Sequence, residues 1–191
     1  MDRLFSTFRE FGLPYEGANE LVSNFLREDI FKPGSMMVRI GEVNRRIYFI
    51  ESGMIRHFVP KPRKDITPWI LTENNIAVMP DSFFDQVPAK ENMQALEKTI
   101  TRSITFQELK EIIRLHPEFD EHEKVIYRHY RELGENIRRE IGGLNDDEKY
   151  LWLLDKQPQV AARASNSVIC SYLDITPNML AAVKRRMAGK R

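Results

Sequence analysis

The chain has 191 residues, 42% hydrophobic and 30% charged, with 29 lysines and arginines against 28 acids for a formal net charge of +1. These values describe an ordinary soluble globular protein with room for one medium domain and a small second one, and no apolar run approaches the roughly 18 residues needed to span a bilayer. A single cysteine, Cys170, excludes an intramolecular disulfide and any all-cysteine metal or iron–sulfur site. With a charged, amphipathic start, MDRLFSTFRE, the chain reads as cytoplasmic and not as a membrane protein.

Residues 1 to about 30 read as helical: Leu4, Phe5, Phe8 and Phe11 form one stripe, and Leu21, Val22, Phe25 and Leu26 form another beyond Gly12 to Gly17. From Phe31 the period shortens. Met36 to Ile40, Arg46 to Glu51 and Met54 to Val59 are β-rich runs separated by Pro33-Gly34, Gly41 and Ser52-Gly53. Thr67 to Leu71, Ile76 to Met79, Met93 to Glu97 and Thr101 to Thr105 continue the series. Short strands with glycine and proline turns predict an antiparallel roll or barrel.

Pro117 opens a long helical run closed by Gly142-Gly143, in which Ile126, Tyr130, Leu133, Ile137 and Ile141 make one narrow apolar seam. Such a seam with charged flanks needs a partner, either the chain's own roll or the same helix of a second copy, and the reading assigns it to dimerisation. Asn145 with Glu148 predicts a capping box for a further helix carrying Tyr150, Leu151 and Leu154, which Lys156-Gln157-Pro158 ends.

The last stretch, from Ser165, predicts two short helices with a tight joint. Ser165 or Asn166 caps the first, whose apolar face is Ile169, Tyr172 and Leu173; Thr176 caps the second, with Pro177 at its first position and Leu180, Val183 and Met187 inward. Cys170 falls on the apolar side of the first helix, as a small buried thiol. From Lys156 onward seven basic residues stand against Asp174 alone, a net of +6, so the preceding residues carry about −5. A basic module on an acidic body suits a polyanion partner, because lysine and arginine displace counterions from phosphate.

Roll, long helix, then terminal helix-turn-helix is the order of the Crp/Fnr family of bacterial transcription regulators, and the chain resembles it over most of its length. Gly34, Gly41, the run Ile47 to Arg56, the block Ala95-Leu96-Glu97 and His116-Pro117-Glu118-Phe119 look like the family's cyclic-nucleotide-binding-type roll and the start of its long helix. Ile169 to Pro177 looks like its DNA-binding turn, and a second helix with little after it is similar to Bacteroidetes members. The resemblance implies an α+β fold: an antiparallel jelly-roll domain with flanking helices over residues 1–116, a long dimerisation helix over 117–143 and a helix-turn-helix region over 144–191. It also implies double-stranded DNA and a second copy as partners, with RNA polymerase as a further one, and no catalytic role.

Members that bind cyclic AMP use a cassette carboxylate for the ribose and a later arginine for the phosphate. Here the arginine position falls on or near Ala89, and Asp81, Ser82, Phe83, Phe84 and Lys90 become the candidate effector pocket. Lysine lacks the bidentate fork of arginine, so the effector is expected to be another small molecule, or none, and no cofactor is assigned. His57, His116, His122 and His129 have no thiol or carboxylate at an obvious ligand spacing and read as solvated or hydrogen-bonded, with no metal. Ala181-Ala182 occupy the middle of the reading helix, where relatives place longer polar residues. Base readout then falls to Asn178, Lys184 and Arg185, with Thr176 and Arg186 on phosphates. Asp174, where a turn glycine is usual, puts a negative charge near DNA. These departures leave a second reading open, a ligand-binding or protein-interaction module whose DNA reader has degenerated.

Overall fold

The computed structural model describes residues 24–117, 120 and 122–188. Most of the early helical stripes, and Lys190 and Arg191, lie outside the described residues. Among the described residues, eight strands form two four-stranded antiparallel sheets. One has the order β1 (Arg27–Phe31), β8 (Thr99–Thr105), β3 (Arg46–Ser52), β6 (Ile76–Ala77). The other has the order β2 (Met36–Val38), β7 (Asn92–Ala95), β4 (Ile55–Val59), β5 (Ile66–Leu71). Tyr48, Phe49, Ile50, Ile55, Leu71 and Met93 belong to the buried cluster that makes the roll's core. All seven strand runs expected from sequence are present with ends shifted by one or two residues, as hydrogen-bonded ladders outreach or fall short of hydrophobic runs.

Strand β1 corrects the helical reading of residues up to 30. Arg27–Phe31 pairs with β8 along its whole length, Arg27 opposite Ser103 and Phe31 opposite Thr99. It is an edge strand in which Arg27, Glu28 and Asp29 are polar on both faces and Ile30 is exposed, so apolar alternation is missing from the sequence. Its register is instead held by cross-strand polar pairs: Glu28 to Arg102 at 3.1 Å, and Asp29 accepting from the Ser103 hydroxyl. Between β3 and β4, Gly53 has φ +105°, and a Cβ there would stand 2.7 Å from Thr99 Cα and 2.8 Å from the Lys98 carbonyl. Only glycine fits.

Seven helices follow or interrupt the strands among the described residues: α1 (Pro80–Phe84), α2 (Phe106–Leu115), α3 (His122–Ile141), α4 (Asp146–Lys156), α5 (Pro158–Arg163), α6 (Asn166–Leu173) and α7 (Pro177–Ala188). The helix α2 is absent from the sequence reading although its signature is there. The Thr105 hydroxyl accepts from the Glu108 amide at 3.1 Å while the Thr105 amide donates to the Glu108 carboxylate at 2.8 Å, a capping box that closes both orphan donors. The box predicted at Asn145 and Glu148 starts α4.

The seam of α3 rests on the chain's own roll. Ile126 and Tyr130 are buried in the roll's core with Leu133 against it, and the Tyr130 hydroxyl donates to the Ile76 carbonyl. Gly134 lies where the Trp69 ring fills the space a side chain would need. Ile126 and Tyr130 are thus covered by the chain's own roll and Leu133 is half-buried against it, so the narrow seam matches the roll's apolar surface. Ile137 lines a cleft with Leu71 and Pro158, and Ile141 is half-buried.

A second core joins the C-terminal helices to the roll. Leu153, Val160, Ile169, Leu173, Ile175, Leu180 and Val183 cluster with Met54 and Ile70 of the roll. The terminal helices thus sit on the sheet that contains β4 and β5.

Candidate nucleic-acid interface and ligand cavity

Local chemistry shapes the joint between α6 and α7. Ser165 caps α6, accepting from the Val168 amide, and Ile169 and Leu173 are fully buried. Asp174 then takes the left-handed conformation at φ 53° and reverses the chain. Thr176 caps α7, its hydroxyl accepting from the Met179 amide at 3.2 Å, and Pro177 fills the first helical position. Leu180 and Val183 hold the inner face, which leaves Asn178, Met179, Ala181, Arg185 and Arg186 exposed. Cys170 is buried, and desolvation raises its thiol pKa, as expected of a structural cysteine.

The cations expected to face a polyanion differ in their engagements. Lys184 donates to the Asn166 side chain at 2.7 Å and stands 5.7 Å from the Tyr150 ring centroid. Arg186 is held by Asp147, its Nε 3.0 Å from Oδ2. Arg185 is exposed and has no ion pair among the described residues. Asp174 is a correction: Lys64 Nζ lies 2.5 Å from its Oδ1, and that hydrogen bond holds the carboxyl below its ordinary range, so its charge is offset.

Polar fasteners tie the module to the roll. Arg163 grips Glu73 at 2.7 and 2.9 Å and reaches Glu97 at 3.3 Å. The Thr67 and Ser171 hydroxyls meet at 2.7 Å in a buried contact between β5 and α6. The Arg163 guanidinium, with help from the Gly53 amide, pulls the Glu73 carboxyl down to about 2.

A cavity of about 800 Å³ opens between β4, β5, the segment after β6 and α3. Asp81, Ser82 and Lys90 are on its wall, and so is Ala89. Phe83 and Phe84 are not, which corrects their place in the effector pocket. The helical turn that starts at Pro80 puts Phe83 in the core and Phe84 half-buried against it, where Phe83 meets Phe84 at 5.1 Å and Phe106 at 5.6 Å, edge to face. Ser82 is buried and engaged: its hydroxyl donates to the Val87 carbonyl at 2.6 Å and accepts from the Asn44 amide at 2.9 Å. Lys90 and Asp81 form an exposed pair at 3.9 Å.

The residue sequence reasoning missed is His57. It shares the inward face of β4 with Ile55 and Val59, is 1% exposed, and lines the cavity. Its Nδ1 lies 2.9 Å from the Glu91 carboxylate, and its buried Nε2 has no hydrogen-bond partner among the described residues. Trp69, Tyr127, Arg128 and Tyr130 complete much of the wall. No local signal joins His57 to Glu91, because the β4–β7 pairing brings them together across 34 residues. Among the described residues no group of three or more His, Cys, Asp or Glu side chains comes together at metal-binding range.

No family profile and no curated protein matches the sequence. Solved structures match in fold. FixK2 from Bradyrhizobium japonicum aligns with a TM-score of 0.73 at 12% identity, over 86% of this chain and 85% of that one. The c-di-GMP responsive global regulator CLP of Xanthomonas campestris gives 0.70 at 12% identity, over 91% and 92%. A protein from Eubacterium rectale assigned to the Crp/Fnr family of transcriptional regulators gives 0.68 at 13% identity, over 97% and 88%. The fold is therefore the one these transcription regulators share, two antiparallel sheets with a long helix and a C-terminal helical module. Among the described residues no helix is long and apolar enough to cross a membrane.

Proposed function

We propose that the chain is a Crp/Fnr-type transcription regulator that binds double-stranded DNA through α7, acts as a homodimer, and senses a small molecule in the roll's cavity. The observation that carries this reading is the exposed face of α7, with Thr176 at its capped end and Asn178 and Arg185 free to reach outward, on a fold shared with known regulators. An asparagine can pair with adenine and an arginine with guanine in the major groove. Thr176 and Arg186 serve phosphates, Arg186 by exchanging Asp147 for the backbone, while Lys184 supports the helix from its side. With Ile126 and Tyr130 covered, two copies would meet through Ile141 and the exposed Leu151 and Leu154 of α4.

For the effector, the cavity offers an aromatic and aliphatic wall, one buried imidazole nitrogen and cations at Lys90 and Arg128. It suits a small anion with an apolar body that also hydrogen-bonds His57. The position corresponding to the cassette arginine falls on or near Ala89, which is 4% exposed, and this argues against cyclic AMP held in the usual way.

The second reading, an interaction module with a degenerate reader, is favoured by the engagement of Arg186 with Asp147 and by Ala181 on the open face. Selection of bound duplexes from fragmented genomic DNA at low and physiological salt separates the two. The regulator reading expects a palindrome with half-sites about ten base pairs apart. No enrichment at either salt, with a small molecule still bound to the roll, supports the second.

A further inference from the structure

The charge that the sequence concentrates in the tail is partly consumed by the fold. Lys156 pairs with Asp155 at 3.0 Å, Arg163 with Glu73 at 2.7 Å, and Arg186 with Asp147. Lys184 and Arg185 are the described tail cations without an acidic partner.

The hairpin between β4 and β5 carries the opposite arrangement. Its sequence, Pro60-Lys61-Pro62-Arg63-Lys64-Asp65, holds three cations and one acid. Asp65 is neutralised by Arg56 at 3.1 Å, a partner on β4 itself. Lys64 reaches Asp174 at 2.5 Å, in the turn between α6 and α7 and two residues before the cap of α7. Lys61 and Arg63 are exposed and have no acidic partner among the described residues. Two prolines fix φ along the loop, which lowers the entropy of presenting those charges.

Resting on the DNA-binding reading of α7, we propose that this hairpin is a second DNA-contact element. Lys61 and Arg63 bind the phosphate backbone beside the groove that α7 enters, and the Lys64–Asp174 contact sets the hairpin at the turn. The acid at position 174, which would repel a duplex if free, becomes the anchor for a basic loop. Such contacts add affinity and salt dependence but no base preference.

The test compares the full chain with Lys61→Ala/Arg63→Ala, using the selected duplex and a scrambled duplex over a salt series. With two such cations on each protomer of the proposed dimer, the double variant is expected to lower the magnitude of the slope of log affinity against log salt by roughly four, and to weaken both duplexes by the same factor. Its preference between them stays as in the parent. A control of equal charge change, Lys32→Ala/Lys110→Ala, removes cations next to the other sheet and is expected to leave the slope unchanged. A parent-like slope in the hairpin variant while the parent binds DNA overturns the inference and spares the regulator reading. Equal losses in the control also overturn it, assigning the effect to net charge. A parent that binds neither duplex overturns both.

Discussion

Arg163 grips Glu73 with two guanidinium nitrogens, at 2.7 and 2.9 Å, and so fastens the helix ahead of α6 to the turn after β5. Both side chains are partly open to water, so screening limits the pair to about 1 kcal/mol despite its fork geometry. Replacing Glu73 by Gln should lower stability by about that amount at neutral pH. Because the folded-state carboxyl is depressed to about 2 from an ordinary 4.5, the contribution is complete above about pH 4.5 and fades as the pH falls toward 2. Thermal unfolding of both proteins from pH 7 down to 2 checks this. A gap that does not close on acidification would contradict it.

Gly134 sets the distance between α3 and β5. Alanine in a helix is ordinarily better than glycine by about 0.5–1 kcal/mol. Here the added methyl would meet the Trp69 ring, a stiff group edge-on to Tyr130 at 6.0 Å, and overpacking of this kind costs about 1–3 kcal/mol. The steric loss exceeds the propensity gain, so Gly134→Ala should be destabilising. Denaturant unfolding measures it, and tryptophan fluorescence in a Trp152→Phe background reports displacement of the Trp69 ring.

Ser82 separates a structural role from a ligand role. Removing its hydroxyl leaves the buried Asn44 amide without its partner, at about 1–3 kcal/mol, while the carbonyl of the exposed Val87 can turn to water. Ser82→Ala should therefore lose about 1–3 kcal/mol in chemical denaturation. An unchanged stability would return Ser82 to the list of ligand contacts.

Much of the architecture was legible in the sequence because it follows local rules. The glycine at 53 and the caps at Asn145, Ser165 and Thr176 each announce themselves within a few residues. Strand β1 did not, since its pairing depends on Asp29 and Arg102 meeting partners far along the chain. The α3 seam announced that it needed a partner but not which one, because periodicity is the same for either. The site was less legible still: His57 and Glu91 are neighbours only through sheet pairing, and no sequence pattern shows that the turn at Pro80 carries Phe83 inward.

Asp174 invites a change toward the residue more usual in a tight turn. Asp174→Gly should relieve a left-handed backbone at φ 53° and lose the exposed contact with Lys64, two terms of about 0.5–1 kcal/mol with opposite sign. Folding stability should move by less than about 0.5 kcal/mol. A loss of more than about 2 kcal/mol in denaturant unfolding would show that the Lys64 contact matters far more to folding than its exposure suggests.

The most direct test of the central claim is the affinity ratio between the selected duplex and a scrambled duplex at physiological salt, for the parent and for Asn178→Ala and Arg185→Ala. Reading of base edges by α7 predicts a clear preference in the parent, with each substitution removing about 1–3 kcal/mol of discrimination at its own base position. A parent that binds both duplexes equally, or a preference untouched by either substitution, would contradict the assignment of α7 as the reading helix.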